Sequence, residues 1–478
     1  MLTATSGKYR AKAYKHTDQD TATCPHCWTV FPYEDVLYIS RHPDLIGDPM
    51  LGDDAPSRFK PSRFTPEGQA IDPGGYPCLE MACPNCHLAV PRVLAEFKPM
   101  FLSIVGTQQA GKSYFLATAM WDLRKRLAEE YGLSIADVET ELNQVLHRYE
   151  EILFFPKNPT DYVLIEKTEE QGQLYDRVMF DGTETMFPKP FVFSLTPQPQ
   201  HPSYKQKETF SRSLILYDNA GEHFDPSHDS ATKPGTMHLS KSECVIFVFD
   251  PTQDPRFRER LVGNPDPQTG ADWHIRRQDV VLNEAARRIR RHTGTPHNVK
   301  LPKTLIVVVN KSDIWGSMLK LPINPNPSAG DTKTPMRGLD IGHIEDVSLS
   351  VQYLLNELCP EFVQAAEDFA ERIVYIPISC LGHAPRKNEH GGLDIRPMDL
   401  KPLWVSVPFL YAFMRMGMVY RGAYPPPPGT PAAKILSLHG GKLQCQLPDG
   451  MRLELPERFA GRLLHDPATG SAFVVPKV

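Results

Sequence analysis

The chain has 478 residues, too many for one ordinary domain, and 41% hydrophobic with 23% charged residues marks it as globular rather than disordered. A net charge of -5 excludes a general electrostatic attraction to nucleic acid or to an anionic membrane. Residues Met1 to Lys15 are polar and show no apolar secretory stretch, so the expected location is cytoplasmic.

The first element with chemistry is a pair of C-x-x-C knuckles, Cys24-Pro25-His26-Cys27 and Cys83-Pro84-Asn85-Cys86. Each presents two thiolates to one side, so the four cysteines together can complete a tetrahedral Zn2+ site. Cys78, His26 and His87 are spare ligands. The 55 residues between Cys27 and Cys83 exceed a compact ribbon, so the Pro-, Gly- and Asp-rich stretch from Asp48 to Tyr76 reads as an inserted loop. Disulfides are disfavoured in a cytosolic chain, and structural zinc can supply on the order of 10 kcal/mol to a module with little apolar burial. Through residue 100 there are 10 Lys plus Arg against 12 Asp plus Glu, which lacks the positive field of a nucleic-acid binder. Docking to a protein partner is the expected role.

Next, Phe101-Leu102-Ser103-Ile104-Val105 reads as a buried strand, followed by G-T-Q-Q-A-G-K-S from Gly106 to Ser113 and by a helix. Phe115, Leu116, Ala119, Leu123 and Leu127 share one face of that helix. In this context the backbone through Gln109, Ala110, Gly111 and Tyr114 can turn its N-H groups on one anion, and the helix start adds partial positive charge. Lys112 reaches the outer phosphates, and the Ser113 hydroxyl can ligate Mg2+. The plain alternative is a glycine turn with a solvated lysine.

A helix is expected near Asp137 to Phe155, then a strand at Phe191 to Leu195. Ser213 to Tyr217 forms another buried run, ending in D-N-A-G-E from Asp218 to Glu222. Asp218 can hold magnesium through water, and Gly221 can give its N-H to a terminal phosphate. The run Glu243 to Asp250 precedes two arginine groups, Arg256, Arg258, Arg260 and Arg287, Arg288, Arg290, Arg291. A solvated face is the default for both, although the second is dense enough for an interaction patch. Leu305 to Val309 runs into Asn310-Lys311-Ser312-Asp313. A carboxylate such as Asp313 can accept two hydrogen bonds from guanine that adenine does not offer, worth about 3 to 6 kcal/mol or roughly 10^2 to 10^4 in discrimination. Ile373 to Ile378 leads into Ser379-Cys380-Leu381, whose backbone can contact the guanine oxygen. Four motifs in this order, each after an apolar run, point to a guanine-nucleotide site.

Between the last two motifs, Asn324 to Arg337 reads as a polar loop and Ile344 to Phe369 as helical. Leu403 to Tyr420 is a packed final helix rather than a membrane span. Prolines in Tyr424 to Pro428 mark a linker, and Lys434 to Val478 alternates in the manner of a small antiparallel sheet with turns at Gly440-Gly441 and Asp449-Gly450.

By G-T-Q-Q-A-G-K-S, D-N-A-G-E, N-K-S-D and S-C-L, the chain resembles the Ras-like GTPases of the P-loop superfamily over roughly residues 99 to 420. With the cysteine knuckles and long insertions it is also similar in general pattern to the bacterial double-GTPase families linked to conflict and defence systems. The resemblance implies a three-layer α/β domain with a mostly parallel sheet over 99–422, flanked by a zinc-ribbon-like module at 1–98 and a linker with a small β module at 423–478. It implies a GTP/GDP and Mg2+ switch acting through a protein partner. Thr183 or Thr185, with Thr185 preferred, is then the switch threonine that joins Ser113 and Asp218 at the magnesium. Two departures bear on catalysis. Glu222, followed by His223, stands where Ras-like enzymes carry a water-orienting glutamine, and a carboxylate accepts but does not donate. Gln108 occupies the loop position that is glycine in Ras where an arginine finger enters, which favours slow or partner-dependent turnover. Rival readings are a P-loop ATPase, a nucleotide-binding scaffold and a zinc-dependent nucleic-acid binder. The oligomeric state is not fixed by these patterns.

Overall fold

Strands covered on both faces have no solvent side, so apolar runs rather than alternating patterns build the central sheet. The computed structural model describes residues 21–165, 175–180, 182–218, 236–270, 274–330, 336–390, 392–422 and 429–477. Seven strands form the sheet: β1 (Lys98–Gly106), β2 (Leu133–Asp137), β3 (Phe191–Pro197), β4 (Arg212–Asp218), β5 (Cys244–Phe249), β6 (Leu301–Val309) and β7 (Ala370–Pro377). Their order is β2-β3-β4-β1-β5-β6-β7. Every pairing from β4 to β7 is parallel, whereas β3 runs antiparallel to both neighbours. The larger helices are α1 (Lys112–Tyr131), α2 (Gln144–Phe154), α3 (Gln278–Thr293), α4 (Ile341–Leu358), α5 (Pro360–Phe369) and α6 (Val407–Arg415).

Strand alternation decides what each face of the β3-β4-β1 half meets. Leu102, Ile104, Leu214, Leu216 and Phe193 join the main core with Phe115, Leu116, Leu123 and Leu127 of α1. The intervening residues Phe101, Val192, Ile215 and Tyr217 turn to the other side and pack with Trp28, Phe31, Leu88 and Leu94 around the cysteine knuckles. The cysteine segment therefore covers a sheet face that would otherwise need helices. At the far end of the chain, Lys434–His439, Lys442–Gln446 and Arg452–Pro456 form a three-stranded antiparallel sheet. Its turns use positive φ at Gly440, Gly441 and Gly450, and its core contains Leu443, Cys445, Leu455, Phe459 and Phe473.

Several expectations change. The helix expected near Asp137 to Phe155 begins only at Gln144, and Asp137 instead ends the strand Leu133–Asp137. Asn143 enforces that break: its Nδ2 donates to Asp137 at 2.6 Å and its Oδ1 accepts from Val192 N at 3.0 Å. The inserted stretch is ordered by a hairpin, Ile46–Asp48 with Gly52–Pro56, and by buried Asp72, which accepts from Ser40, Arg41, His42 and Tyr76. The segment expected to be a plain loop contains the strand Ser328–Ala329, paired with Gly338–Asp340. Pro360 at the first turn of α5 divides the expected single helix at Cys359. Around α6 the helix is short, and no described helix is long and apolar enough to cross a membrane. The linker prolines at 425–428 lie outside the described residues.

The arginine groups are largely spent inside the chain. Arg256 pairs with Asp254 and Glu361, and Arg260 with Glu357. Arg287 and Arg288 share Glu284, while Arg290 donates to the Asp368 carbonyl at 2.8 Å. These contacts explain the density of the second group as internal bracing rather than as an interaction patch.

Candidate functional site

Parallel strands end level with one another, so residues that follow them gather along one edge, where α/β sheets place their ligands. Ile104 is in register with Asp218, Gly106 with Val248, and Val309 with both Phe249 and Pro377. The four motif ends thus share the carboxyl edge of the sheet.

The loop after β1 is shaped by three local constraints. A Cβ on Gly106 would lie 2.6 Å from the Val248 carbonyl oxygen, so only glycine lets the strand leave the sheet beside β5. Gln109 and Gly111 both take left-handed φ, 61° and 88°, which curls the backbone before α1 starts at Lys112. Lys112 Nζ lies over this curl and donates to the Gly106 and Thr107 carbonyls at 3.0 and 2.8 Å. Ala110 is buried in the loop, and Ser113 opens the first helical turn. The Tyr114 hydroxyl is occupied differently, since it accepts from Ile165 N at 3.1 Å and so pins a neighbouring segment.

Asp218 closes β4 and is only 6% exposed. Burial pushes its carboxyl up to about 6, against the opposing charge of Lys112, and its Oδ1 is buried without a hydrogen-bond partner among the described residues. A buried carboxylate oxygen beside a phosphate-type loop has the hard-oxygen chemistry that magnesium requires. Ser113 and Asp218 are the described residues that fit that ion.

Asn310 ties the segment from Asn310 to Asp313 to the loop from Gly106 to Ser113. Its Nδ2 donates to the Ala110 carbonyl at 2.9 Å, and a Cβ on Gly111 would come within 2.5 Å of the same Nδ2. Its Oδ1 accepts from Lys311 N at 2.7 Å and from Cys380 Sγ at 3.4 Å. One side chain therefore touches three of the sequence motifs. Asp313 opens to solvent one turn later and accepts from Ser379 Oγ at 2.6 Å, while Ser379 Oγ also accepts from Gly382 N at 2.7 Å. This holds the S-C-L turn against the carboxylate, with Leu381 anchored by its carbonyl to Lys401 N. Cys380 is buried, and burial pushes its thiol up to about 12, so it is a packing group rather than a nucleophile.

Sequence reasoning missed the brace beneath these motifs. Asp250, fully buried after β5, meets Lys311 Nζ at 2.5 Å and accepts from Thr252 N and Oγ1 at 3.0 and 2.7 Å. Gln253 accepts from Thr107 Oγ1 at 2.7 Å and donates to the Gln108 carbonyl at 2.9 Å. Lys311 is thus committed to a buried pair, and the backbone of Gln108 is fixed from outside the loop. The available signal was D-P-T-Q directly after an apolar strand, an N-cap and proline pattern with more polar groups than a turn needs.

The four cysteines converge as expected. Cys24 Sγ lies 3.7 Å from Cys86 Sγ and Cys27 Sγ 3.6 Å from Cys83 Sγ, with all four ligand atoms within 4.8 Å of one another. Zinc-sulfur bonds of about 2.3 Å in a tetrahedron require sulfur separations of about 3.8 Å, so the set fits zinc. The two knuckles repeat one backbone pattern: Trp28 N to Cys24 O and His87 N to Cys83 O, with left-handed φ at Trp28 and His87. The spare ligands are used elsewhere. His87 Nδ1 meets Asp48, His26 Nε2 meets the Ala89 carbonyl, and the Cys78 thiol lies 3.7 Å from Asp72.

A buried polar chain leads from this cluster to the sheet. The Trp28 indole donates to the Tyr217 hydroxyl at 3.1 Å, and that hydroxyl donates to the Pro25 carbonyl inside the first knuckle. Tyr217 stacks on His238 at 4.5 Å, whose Nδ1 lies 2.6 Å from Ser103 Oγ on β1. Tyr217 immediately precedes Asp218, so the knuckle grips the neighbour of the candidate magnesium ligand.

The remaining candidates separate from this constellation. Thr183 and Thr185 lie in the strand Thr183–Pro188, paired with Tyr175–Phe180, rather than in a loop. Val178 and Phe187 pack that hairpin on the cysteine side of the sheet, and Met179 N donates to the Met50 carbonyl at 2.8 Å. Gly221, Glu222 and His223 fall outside the described residues.

No protein-family model matches the chain, and no curated protein matches it. Among solved structures it is similar to the S. cerevisiae Ski7 GTPase-like domain bound to GTP, at 13% identity and TM-score 0.25, covering 77% of this chain and 60% of that one. It is also similar to the signal recognition particle receptor SRb-GTP/SRX complex from Chaetomium thermophilum, at 14% identity and TM-score 0.23, covering 60% and 93%. A third is translation elongation factor SelB from Methanococcus maripaludis with the GTP analogue GppNHp, at 12% identity and TM-score 0.20, covering 75% and 46%. The chain spans about 60% of the length of the Ski7 chain. At such low TM-scores these likenesses add nothing to the local geometry.

Proposed function

We propose that the chain binds GTP with Mg2+ at the carboxyl edge of the sheet and works as a nucleotide switch with slow or partner-dependent hydrolysis. The observation that carries this reading is the Asn310 side chain, hydrogen-bonded to Ala110 of the phosphate loop while its own segment presents Asp313 one turn away. That contact supports reading the loop from Gly106 to Ser113 as a phosphate grip and Asp313 beside it as the purine-reading carboxylate. In this reading Gly106 to Tyr114 cradle the phosphates, with Lys112 on the outer ones, and Ser113 and Asp218 hold the ion. Asn310, Lys311 and Asp313 with Ser379 to Leu381 form the base pocket. Magnesium, once bound, supplies charge neutralisation at the phosphates. Gly221 contacts the terminal phosphate, Thr185 reaches the ion only after its hairpin shifts, and Glu222, His223 and Gln108 are the candidates for positioning water. A zinc ion in the four-cysteine cluster stiffens the sheet face behind Asp218. A conflict or defence role would be exerted through a protein partner.

The test is direct binding of mant-GTP and mant-ATP. Two charge-assisted bonds to guanine predict a preference of roughly 10^2 to 10^4 for GTP, lost in Asp313→Asn, while Lys112→Ala weakens both nucleotides. Equal affinities, or a preference untouched by Asp313→Asn, would refute guanine recognition. Phosphate release faster than a few per minute by the isolated chain would refute slow turnover.

A further inference from the structure

A second concentration of charge lies at the opposite edge of the sheet. Arg372 is near the start of β7, with Ser379 two residues beyond its other end, and Arg415 closes α6, whose beginning follows the Leu403 pairing with Ser379. These two arginines line a cavity of about 100 Å³ with Arg421, Arg458, Arg462 and a single carboxylate, Glu345. Five positive charges against one negative leave +4 around the cavity.

The internal partners do not absorb this charge. Arg458, at 3.7 Å, and Arg462 share Glu345, which also accepts from the Tyr411 hydroxyl at 3.3 Å. The guanidinium groups of Arg372, Arg415 and Arg421 make no ion pair or hydrogen bond with the described residues, and Arg415 Nε is buried. Folding guanidinium groups together in this way costs repulsion and desolvation that one carboxylate cannot offset. Burial and the adjoining Arg372 both push Arg415 downward. The contrast with Arg256, Arg260, Arg287 and Arg288 is informative, because each of those has an acidic partner. Three arginines positioned by separate segments, Arg372, Arg415 and Arg421, are left without an acidic partner among the described residues, and they match the fork geometry with which guanidinium groups hold phosphate oxygens.

We propose that this cavity is a second anion site, separate from the phosphate loop, that takes a small molecule bearing a phosphate or pyrophosphate group. Ile341 and Met414 supply its apolar wall, and the enclosed volume suits a phosphate head rather than a macromolecular surface.

The experiment is calorimetric titration of inorganic pyrophosphate, and of inorganic phosphate in parallel, into the full zinc-loaded chain. Lys112→Ala removes the phosphate loop's contribution, and in that background one saturable pyrophosphate site is expected to remain. Adding Arg415→Ala or Arg421→Ala should weaken it at least about tenfold, the loss of one charge-assisted contact. Glu345→Gln should tighten it severalfold, a gain that a merely structural role for the cluster would not produce. Arg421 is exposed, so its variant reports even if Arg415→Ala fails to fold. No pyrophosphate binding in Lys112→Ala, or binding there unmoved by Arg421→Ala and Glu345→Gln, would overturn the site. Those outcomes leave guanine binding at the other edge intact, and loss of the GTP preference would leave this site intact.

Discussion

Lys311 offers a quantitative check because its ammonium has been assigned a structural bond. Lys311→Met deletes the one positive charge among the described residues that meets Asp250 Oδ2, at 2.5 Å, inside a region where Asp250 is 0% exposed. The two remaining bonds, from Thr252 N and Oγ1, both fall on Oδ1, so Oδ2 is left charged and dry. Breaking one partner of a buried pair costs about 3 to 5 kcal/mol, or roughly 10^2 to 10^4 in the folded-to-unfolded ratio. Urea unfolding without nucleotide, followed by tryptophan fluorescence, measures the effect, since the Trp315 indole donates to the Asn310 carbonyl at 2.8 Å and reports on this corner. Asp250→Asn combined with Lys311→Met should recover about half of the loss, because the charge to be compensated has gone. A single-variant loss below about 1 kcal/mol, or strict additivity in the pair, would show that Lys311 is solvated in solution and that the brace is wrong.

Three further outcomes follow from the cysteine cluster, the sheet residue it grips and the C-terminal segment. Native mass spectrometry should find one zinc per chain, lost in Cys83→Ser; separately, Tyr217→Phe should cost about 1 to 3 kcal/mol in unfolding experiments by leaving the Trp28 indole and Pro25 carbonyl unpaired. A zinc-free chain that melts unchanged would refute the structural role of the cluster. At the other end, His465 Nδ1 meets Asp346 at 2.6 Å, and that hydrogen bond raises the imidazole above its ordinary 6.5. His343 on the same helix faces the pair and opposes its charge. The pair's stabilisation is complete below that ordinary value and fades as pH climbs through the raised one. Proteolysis of the C-terminal sheet should therefore accelerate as pH rises above the ordinary imidazole value of 6.5, and His465→Asn should flatten the profile; an unchanged profile would count against the contact.

Residues near one another in the chain were legible because their chemistry is local. The curl at Gly106 to Ser113, the N-K-S-D turn and the two C-x-x-C knuckles each carry their backbone demands within a few positions. The C-terminal hairpins were readable for the same reason, from alternation and turn glycines. What failed to show were roles conferred by distant partners. Leu133–Asp137 became a strand because β3 offered it an edge, and Asn143 broke the following helix by bonding Val192 across the insertion. Arg287 and Arg288 read by default as a solvated face dense enough for an interaction patch, and Glu284 instead absorbs them, whereas Arg372, Arg415 and Arg421 gave no sign of converging.

By itself, then, the order of amino acids determined which short segments curl before a helix, turn after a strand end or bring paired thiols together, since those features depend on backbone conformation and donor type at fixed spacing. Only the tertiary structure decided that Asn310 would meet Ala110, that Asp250 would claim Lys311, and that the cysteine knuckles would cover the face behind Asp218. The reason is that burial and strand register bring together side chains hundreds of positions apart, and a polar group's role is set by whichever partner that register supplies.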